Sequence, residues 1–359
     1  MRRMTRRAAI GEALAGAVVL AGCGAGGARV AARSGSTLES TWGDPVGDGQ
    51  LRVLAGEPLV DRVELGAAAA PSSVLARIAH VTDAHVLDAS SPARVTFLDR
   101  LGPPFQSTFR PHETLSAQVL AGAVAAVRSS APNAVIQGGD LIDNDQRNEL
   151  DHALAVLRGG RVRPGSGPHG YYGVQLASNA DPFYYRPDLD APRYPGLLRE
   201  AVREFVSPGL GAPPYPVLGD HDVLVAGEIV PTALTRSLAV GDRALWELPA
   251  GLSLPPGARA QAVTSPDGPP DPGLVDTFLT QALAGPTVRV PADPRRAEMA
   301  VAEVVGSVAG GAGEAGSLGA AAAAGRLDYS VDVGAEVRLI VLDLARRAGG
   351  SGGLVVPGQ

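Results

Sequence analysis

Short apolar runs that end in glycine, aspartate or histidine recur along the chain. Residues 74–81 (Val-Leu-Ala-Arg-Ile-Ala-His-Val) read as a buried strand and stop at Thr82-Asp83-Ala84-His85. Residues 133–137 form a second run, which stops at Gly138-Gly139-Asp140. Residues 215–218 form a third and give way to Gly219-Asp220-His221-Asp222. Between these runs the apolar period lengthens. Leu115, Val119, Leu120, Val124 and Val127 recur at helical spacing across 114–129, and Leu150, Leu154 and Leu157 make one stripe across 147–158. Strand, helix, strand, helix and strand in this order predict an α/β fold. Its strands deliver polar residues at their carboxyl ends, where open α/β sheets hold ligands. Further on, residues 327–333 alternate apolar with polar, and 336–343 contain a buried run at 339–342; together they predict a β-hairpin.

Three stretches break this rhythm. Six of the seven tyrosines fall between Tyr171 and Tyr215, so an aromatic insertion spans 165–211. It reads either as a packed loop over a sheet end or as a wall facing a substrate. Residues 251–295 are Pro-rich and predict a surface excursion, and residues 310–325 predict a low-complexity, mobile loop.

Composition removes several classes of chemistry. All 31 basic residues are arginine, which excludes a P-loop lysine, a Schiff-base lysine and a Ser-Lys hydrolase. A net charge of −6 gives no electrostatic footprint for nucleic acid. One cysteine rules out an intrachain disulfide and a cysteine-based zinc site. The only G-x-S-x-G, at 349–353, lies in a Gly-rich tail with no helix pattern after it, so it does not make a nucleophile elbow.

Four arginines lie within the first seven residues, and a short apolar stretch, interrupted by Glu12, follows. This is the charge layout of an export signal. Leu20-Ala21-Gly22-Cys23 resembles the lipobox of bacterial lipoproteins, in which the cysteine is acylated and becomes the mature N-terminus. Thr5-Arg6-Arg7 resembles the core of a twin-arginine signal, with a Sec signal as the alternative. The Gly-rich run at 22–27 also fits G-x-G-x-x-G, but no strand precedes it. The expected organisation is a signal over 1–22, a tether and entry segment over 23–70, and a catalytic domain over 71–359. The expected location is the outer face of a cell membrane, through a lipid on Cys23.

The three strand ends together offer four carboxylates and two imidazoles. Held in one cleft, that much negative charge is costly unless a cation compensates it. Mixed Asp/His ligation suits Mn, Fe, Zn or a similar divalent metal. Asp83-Ala84-His85, Gly139-Asp140-Leu141-Ile142-Asp143 and Gly219-Asp220-His221-Asp222 resemble, in order, the D-x-H, G-D-x-x-[DN] and G-N-H-[DE] blocks of the calcineurin-like metallophosphoesterases. The third block carries Asp220 in place of asparagine. The resemblance implies a sandwich of mixed β-sheets flanked by helices and a metal-dependent phosphoric ester hydrolase, acting on monoesters or diesters. In such an enzyme a hydroxide activated by two metals attacks phosphorus. It implies that Asp83, His85, Asp140 and Asp220 ligate metal, Asp140 bridging two ions. His221 would serve the leaving group, and Asp222 would orient His221. Asp143 and Asn144 would lie behind the ligands.

The resemblance also has a gap. The six histidines are at 80, 85, 112, 152, 169 and 221, so the family's later lone histidine and its G-H-x-H block have no counterpart. The first metal would keep Asp83, His85 and Asp140, and the second only Asp140 and Asp220. The chain then reads as a C-terminally truncated member. The alternative function is an envelope protein that keeps the fold and at most one metal without turnover. His80 is expected in the core or behind the ligands, His112 at the surface or a helix cap, His152 solvated on its helix, and His169 in a loop. Arg110 and Arg147 flank the motifs without a defined role.

Overall fold

The computed structural model describes residues 37–58, 60, 63–64, 66–67, 73–94, 114–181, 184–258, 268–310 and 316–359. The export signal, Cys23, His112 and Arg110 lie outside the described residues. The chain divides into two compact units, residues 1–41 with 54–74, and residues 42–53 with 75–359. The three sequence blocks lie in the second.

The elements run β1 (Ser40–Gly43), β2 (Arg52–Ala55), β3 (Ile78–Val81), α1 (Ser116–Ser130), β4 (Ala134–Gln137), α2 (Arg147–Arg158), β5 (Gly160–Val162), α3 (Leu197–Ala201), β6 (Phe205–Ser207), β7 (Tyr215–Pro216), α4 (Ala233–Val240), β8 (Arg243–Ala244), α5 (Pro272–Leu283), β9 (Val288–Arg289), α6 (Val301–Ala309), α7 (Ser317–Ala323), β10 (Tyr329–Val333) and β11 (Val337–Val341). The fold is mixed α/β. Its centre is a three-stranded parallel sheet in the order β3-β4-β7, with Ile78 beside Ala134 and Ile136 beside Tyr215. The other sheets are two-stranded.

The main core lies against this sheet. Leu120 and Val124 of α1, Val135 of β4, Leu150, Ala153, Val156 and Leu157 of α2, and Val304, Val305 and Val308 of α6 pack in one cluster. Helix α2 begins and ends where its period predicts, and its Leu150 and Leu157 are buried while Leu154 is half-buried. The strands are shorter than their apolar runs: residues 74–77 are not strand, and β7 ends at Pro216.

Several expectations need correction. The Pro-rich stretch 251–295 is not merely a surface excursion. It contains α5, which buries Val275, Phe278, Leu279 and Ala282 in a second core with Ile229, Ala239 and Leu245. Asp271 starts this helix by accepting from the amides of Gly273 and Leu274, with Pro272 in the first turn where its missing N–H costs nothing. The low-complexity stretch holds α7, whose Leu318 and Ala321 are buried; residues 311–315 lie outside the described residues. The hairpin forms, with Val331 opposite Leu339, but 339–342 is not buried throughout. Ile340 is 74% exposed and Leu342 47%, because only one face of β11 meets the core. His80 is exposed on edge strand β3 rather than sheltered. His152 is half-buried and its Nδ1 has no hydrogen-bond partner, so the solvated reading fails there too. His169 is exposed in its loop.

Candidate metal centre

Strands β3 and β4 part after Val81 and Gln137 and meet again at the parallel bridge between Val86 and Ile142. The separated segments carry the ligand candidates, and backbone bonds fasten them to each other. The Asp83 amide donates to the Gly139 carbonyl (3.1 Å), that of His85 to Asp140 (2.9 Å) and that of Val86 to Leu141 (3.0 Å). Asp83 (φ 54°), His85 (φ 41°) and Asp140 (φ 48°) all adopt the left-handed conformation. That region is unfavourable for residues with a Cβ, and aspartate and histidine tolerate it better than most. Three such residues side by side mark a site whose shape the surrounding bonds impose.

The third block approaches through glycine. A Cβ on Gly219 would lie 2.0 Å from Asp140 Oδ1, so no larger residue lets the β7 end come so near. Asp140 Oδ1 accepts from the His221 amide (3.1 Å), which ties the second block to the third. The His85 and His221 rings meet edge to face with centroids 4.5 Å apart.

One residue fixes both rings. Asp143 Oδ1 lies 3.0 Å from His85 Nδ1, and the Asp143 carbonyl oxygen lies 2.8 Å from His221 Nδ1. A carbonyl only accepts and a carboxylate accepts, so both neutral rings carry their proton on Nδ1 and present the Nε2 lone pair. This is the arrangement that holds metal-ligating imidazoles. His85 Nε2 stands 3.9 Å from Asp140 Oδ2 and 4.0 Å from Asp83 Oδ1, too far for hydrogen bonds. Two N/O ligands about 2.1 Å from one ion stand about 3.4 Å apart in tetrahedral geometry, so a shared metal would draw these groups slightly closer together. Ligand atoms of His85, Asp140 and His221 all lie within 4.8 Å of one another. Among the described residues this is the one group of three or more such side chains able to hold an ion. His221 belongs to this group, and the resemblance assigns the same residue to the leaving group.

Asp83 lies at the mouth, its side chain 63% exposed, while that of Asp140 is 18% exposed. Asp220 borders the cluster: a Cβ on Gly227 would sit 2.5 Å from His221 Nε2 and 2.7 Å from Asp220 Oδ2. Asp222 is buried and its carboxylate accepts from the amides of Leu141 (2.9 Å), Ile142 (3.2 Å) and Gly219 (2.9 Å). It pins the two loops together, and the Asp143 carbonyl meets the His221 ring at Nδ1. Asn144 accepts from the Ala226 amide, and its own amide donates to Glu149. Arg147 is paired with Glu303.

Burial and crowding raise the acids. Asp140 is pushed up to about 7 by burial first and then by repulsion from Asp220, against the pull of His85. Asp220 rises to about 6 through burial and repulsion from Glu228 and Asp222. Asp222 reaches about 7, again through burial and then Asp140, despite its three amide bonds. Carboxylates in this condition, facing lone-pair imidazoles and with no ion pair from Asp140 or Asp220 to an arginine among the described residues, suit a divalent cation. Gly227 and Glu228 escaped the sequence reading. The cue was the Ala-Gly-Glu turn four residues after the third block, where Ala226 (φ 50°) and Gly227 (φ 72°) both turn left-handed.

The fold and this cluster define a mixed α/β protein whose strand tips gather a His-Asp-His set able to hold a metal ion. No protein-family model, no curated protein and no solved structure matches the chain.

Proposed function

We propose that this chain is a metal-dependent phosphoric ester hydrolase of the calcineurin-like metallophosphoesterase kind, with that family's sandwich of mixed sheets, exported and held at the cell envelope through a lipid on Cys23. The observation that carries the reading is the convergence of His85, Asp140 and His221 from three sequence blocks onto one point. His85, Asp140 and His221 would hold the ion, with Asp83 and Asp220 at its border. Bound there, a divalent cation supplies Lewis acidity toward a phosphoryl oxygen and lowers the pKa of water toward neutrality. The chain's own residues do the rest. Asp143 keeps both Nδ1 protons in place, Asp222 keeps the loops in register, and exposed Asp83 faces the solvent from which a substrate arrives.

A second reading has its own support. Among the described residues three ligating side chains come together, with Asp83 and Asp220 only at their border, which favours a one-metal envelope protein without turnover. Hydrolysis of aryl phosphate monoesters and diesters by the purified chain with added Mn²⁺ decides between them. Turnover that Asp140→Ala abolishes supports the enzyme; a chain that binds one metal and releases no phenol supports the second reading. Loss of lipid labelling in Cys23→Ser tests the anchor.

A further inference from the structure

A second group of carboxylates lies apart from the strand-tip cluster and shares no residue with it. Asp145 follows the second block and is fully buried, and neither of its carboxylate oxygens meets a hydrogen-bond donor. Glu298 is half-buried and its Oε1 is likewise without a partner, while its Oε2 accepts from the Thr235 hydroxyl (3.1 Å). Their backbones run side by side. Gln146 bridges Glu298, the Met299 amide donates to the Asp145 carbonyl (2.8 Å), and the Arg147 amide donates to the Ala297 carbonyl (3.0 Å).

Three carboxylate oxygens are therefore shielded from solvent without a well-formed hydrogen bond from a neighbouring residue. Buried carboxylates are paired, hydrogen-bonded or bound to metal, and an unmet one is expensive. Burial first, and then repulsion from Glu298, push the Asp145 carboxyl up, and Arg236 of α4, which is exposed, offsets this only in part. Thr235 cannot serve Asp145, because its hydroxyl already spans Glu298 and the Thr232 cap.

We propose that Asp145 and Glu298 form a binding site for a hard divalent cation of calcium type, which staples the α4 and 297–299 side of the molecule to the loop that carries Asp143. An all-oxygen donor set with a carboxylate able to bind through both oxygens suits Ca²⁺ better than a nitrogen-seeking metal. The site is independent of the reading given under Proposed function.

The experiment uses the full chain, stripped of metal and carrying His85→Ala with Asp140→Asn, so that the strand-tip cluster is silent. Titration calorimetry with Ca²⁺ then finds one site, and Ca²⁺ raises the thermal midpoint. Adding Asp145→Asn and Glu298→Gln weakens that binding at least about tenfold and removes the rise. Glu298→Gln alone, which keeps the Thr235 bond, gives the same result if the double change impairs folding. Absence of Ca²⁺ binding in the silenced chain overturns the proposal, as does unchanged binding in the Asp145/Glu298 variants. A silenced chain that binds no Ca²⁺ but gains stability from Asp145→Asn holds a shared proton in place of the cation, which also overturns it. Loss of ester hydrolysis has no bearing on this readout.

Discussion

Asp143 Oδ1 lies 3.0 Å from His85 Nδ1, and this contact sets which nitrogen of His85 faces Asp140 and Asp83. A ring without it is able to turn or to place its proton on Nε2. Asp143→Asn keeps the shape and the main-chain carbonyl that His221 uses, and removes the carboxylate. Mn²⁺ affinity is expected to fall by about tenfold to hundredfold, the usual effect of removing such an outer partner. Calorimetry checks it, and an unchanged affinity would mean that His85 is not a ligand.

Gly227 guards the space before His221 and Asp220. A methyl there comes within 2.4 Å of the His221 ring, so Gly227→Ala is expected to displace the ring and abolish metal binding. Backbone strain alone is not the cause, and Gly251→Ala separates the two effects. Gly251 has a similar φ of 80° but nothing within 4 Å of its added Cβ. It should lose about 1 kcal/mol of stability and keep its metal affinity.

The acids also set a pH dependence. Asp140 and Asp222 near 7 and Asp220 near 6 are all raised above their unfolded values. The folded chain then binds more protons than the unfolded chain at intermediate pH. Stability of the metal-free protein is fully present below pH about 4 for these groups and is lost as pH rises through about 7, by on the order of a few kcal/mol. Metal competes with the same protons, so affinity rises over the same window. Urea unfolding at pH 5, 6, 7 and 8, with chelator and with Mn²⁺, should show a falling series that the metal flattens. A metal-free series that rises from pH 5 to 8 would contradict the assignment.

The hairpin offers a change of little consequence to folding. Ile340 is largely exposed on β11, opposite Ser330 and close to Leu342 on the same face. Ile340→Lys should alter unfolding stability by no more than about 0.5 kcal/mol and reduce self-association seen by light scattering, since a charge on an exposed strand discourages edge pairing. A loss of several kcal/mol would mean that this face is covered.

What could be read from the sequence depended on local chemistry. Helix α2 was legible because Leu150 and Leu157 sit on one stripe bounded by polar ends, and the three ligand blocks were legible because each follows a strand. Helix α5 was hidden because the Pro-rich composition around it outweighed its own start signal, Asp271-Pro272. The buried reading of 339–342 failed because an apolar run does not say how many faces have neighbours; Ile340 and Leu342 have solvent. The pairing of Asp143 with both imidazoles depends on how far apart in sequence His85, Asp143 and His221 can be brought, which only the parallel β3-β4-β7 arrangement decides.

His85, Asp140 and His221 are able to hold a metal ion at the strand tips. Crystals grown with Mn²⁺, with diffraction recorded at the manganese absorption edge, test it directly. The expected result is an anomalous peak touching His85 Nε2, Asp140 and His221 Nε2. A map with no peak there at millimolar Mn²⁺, in crystals that show the same fold, would contradict the account.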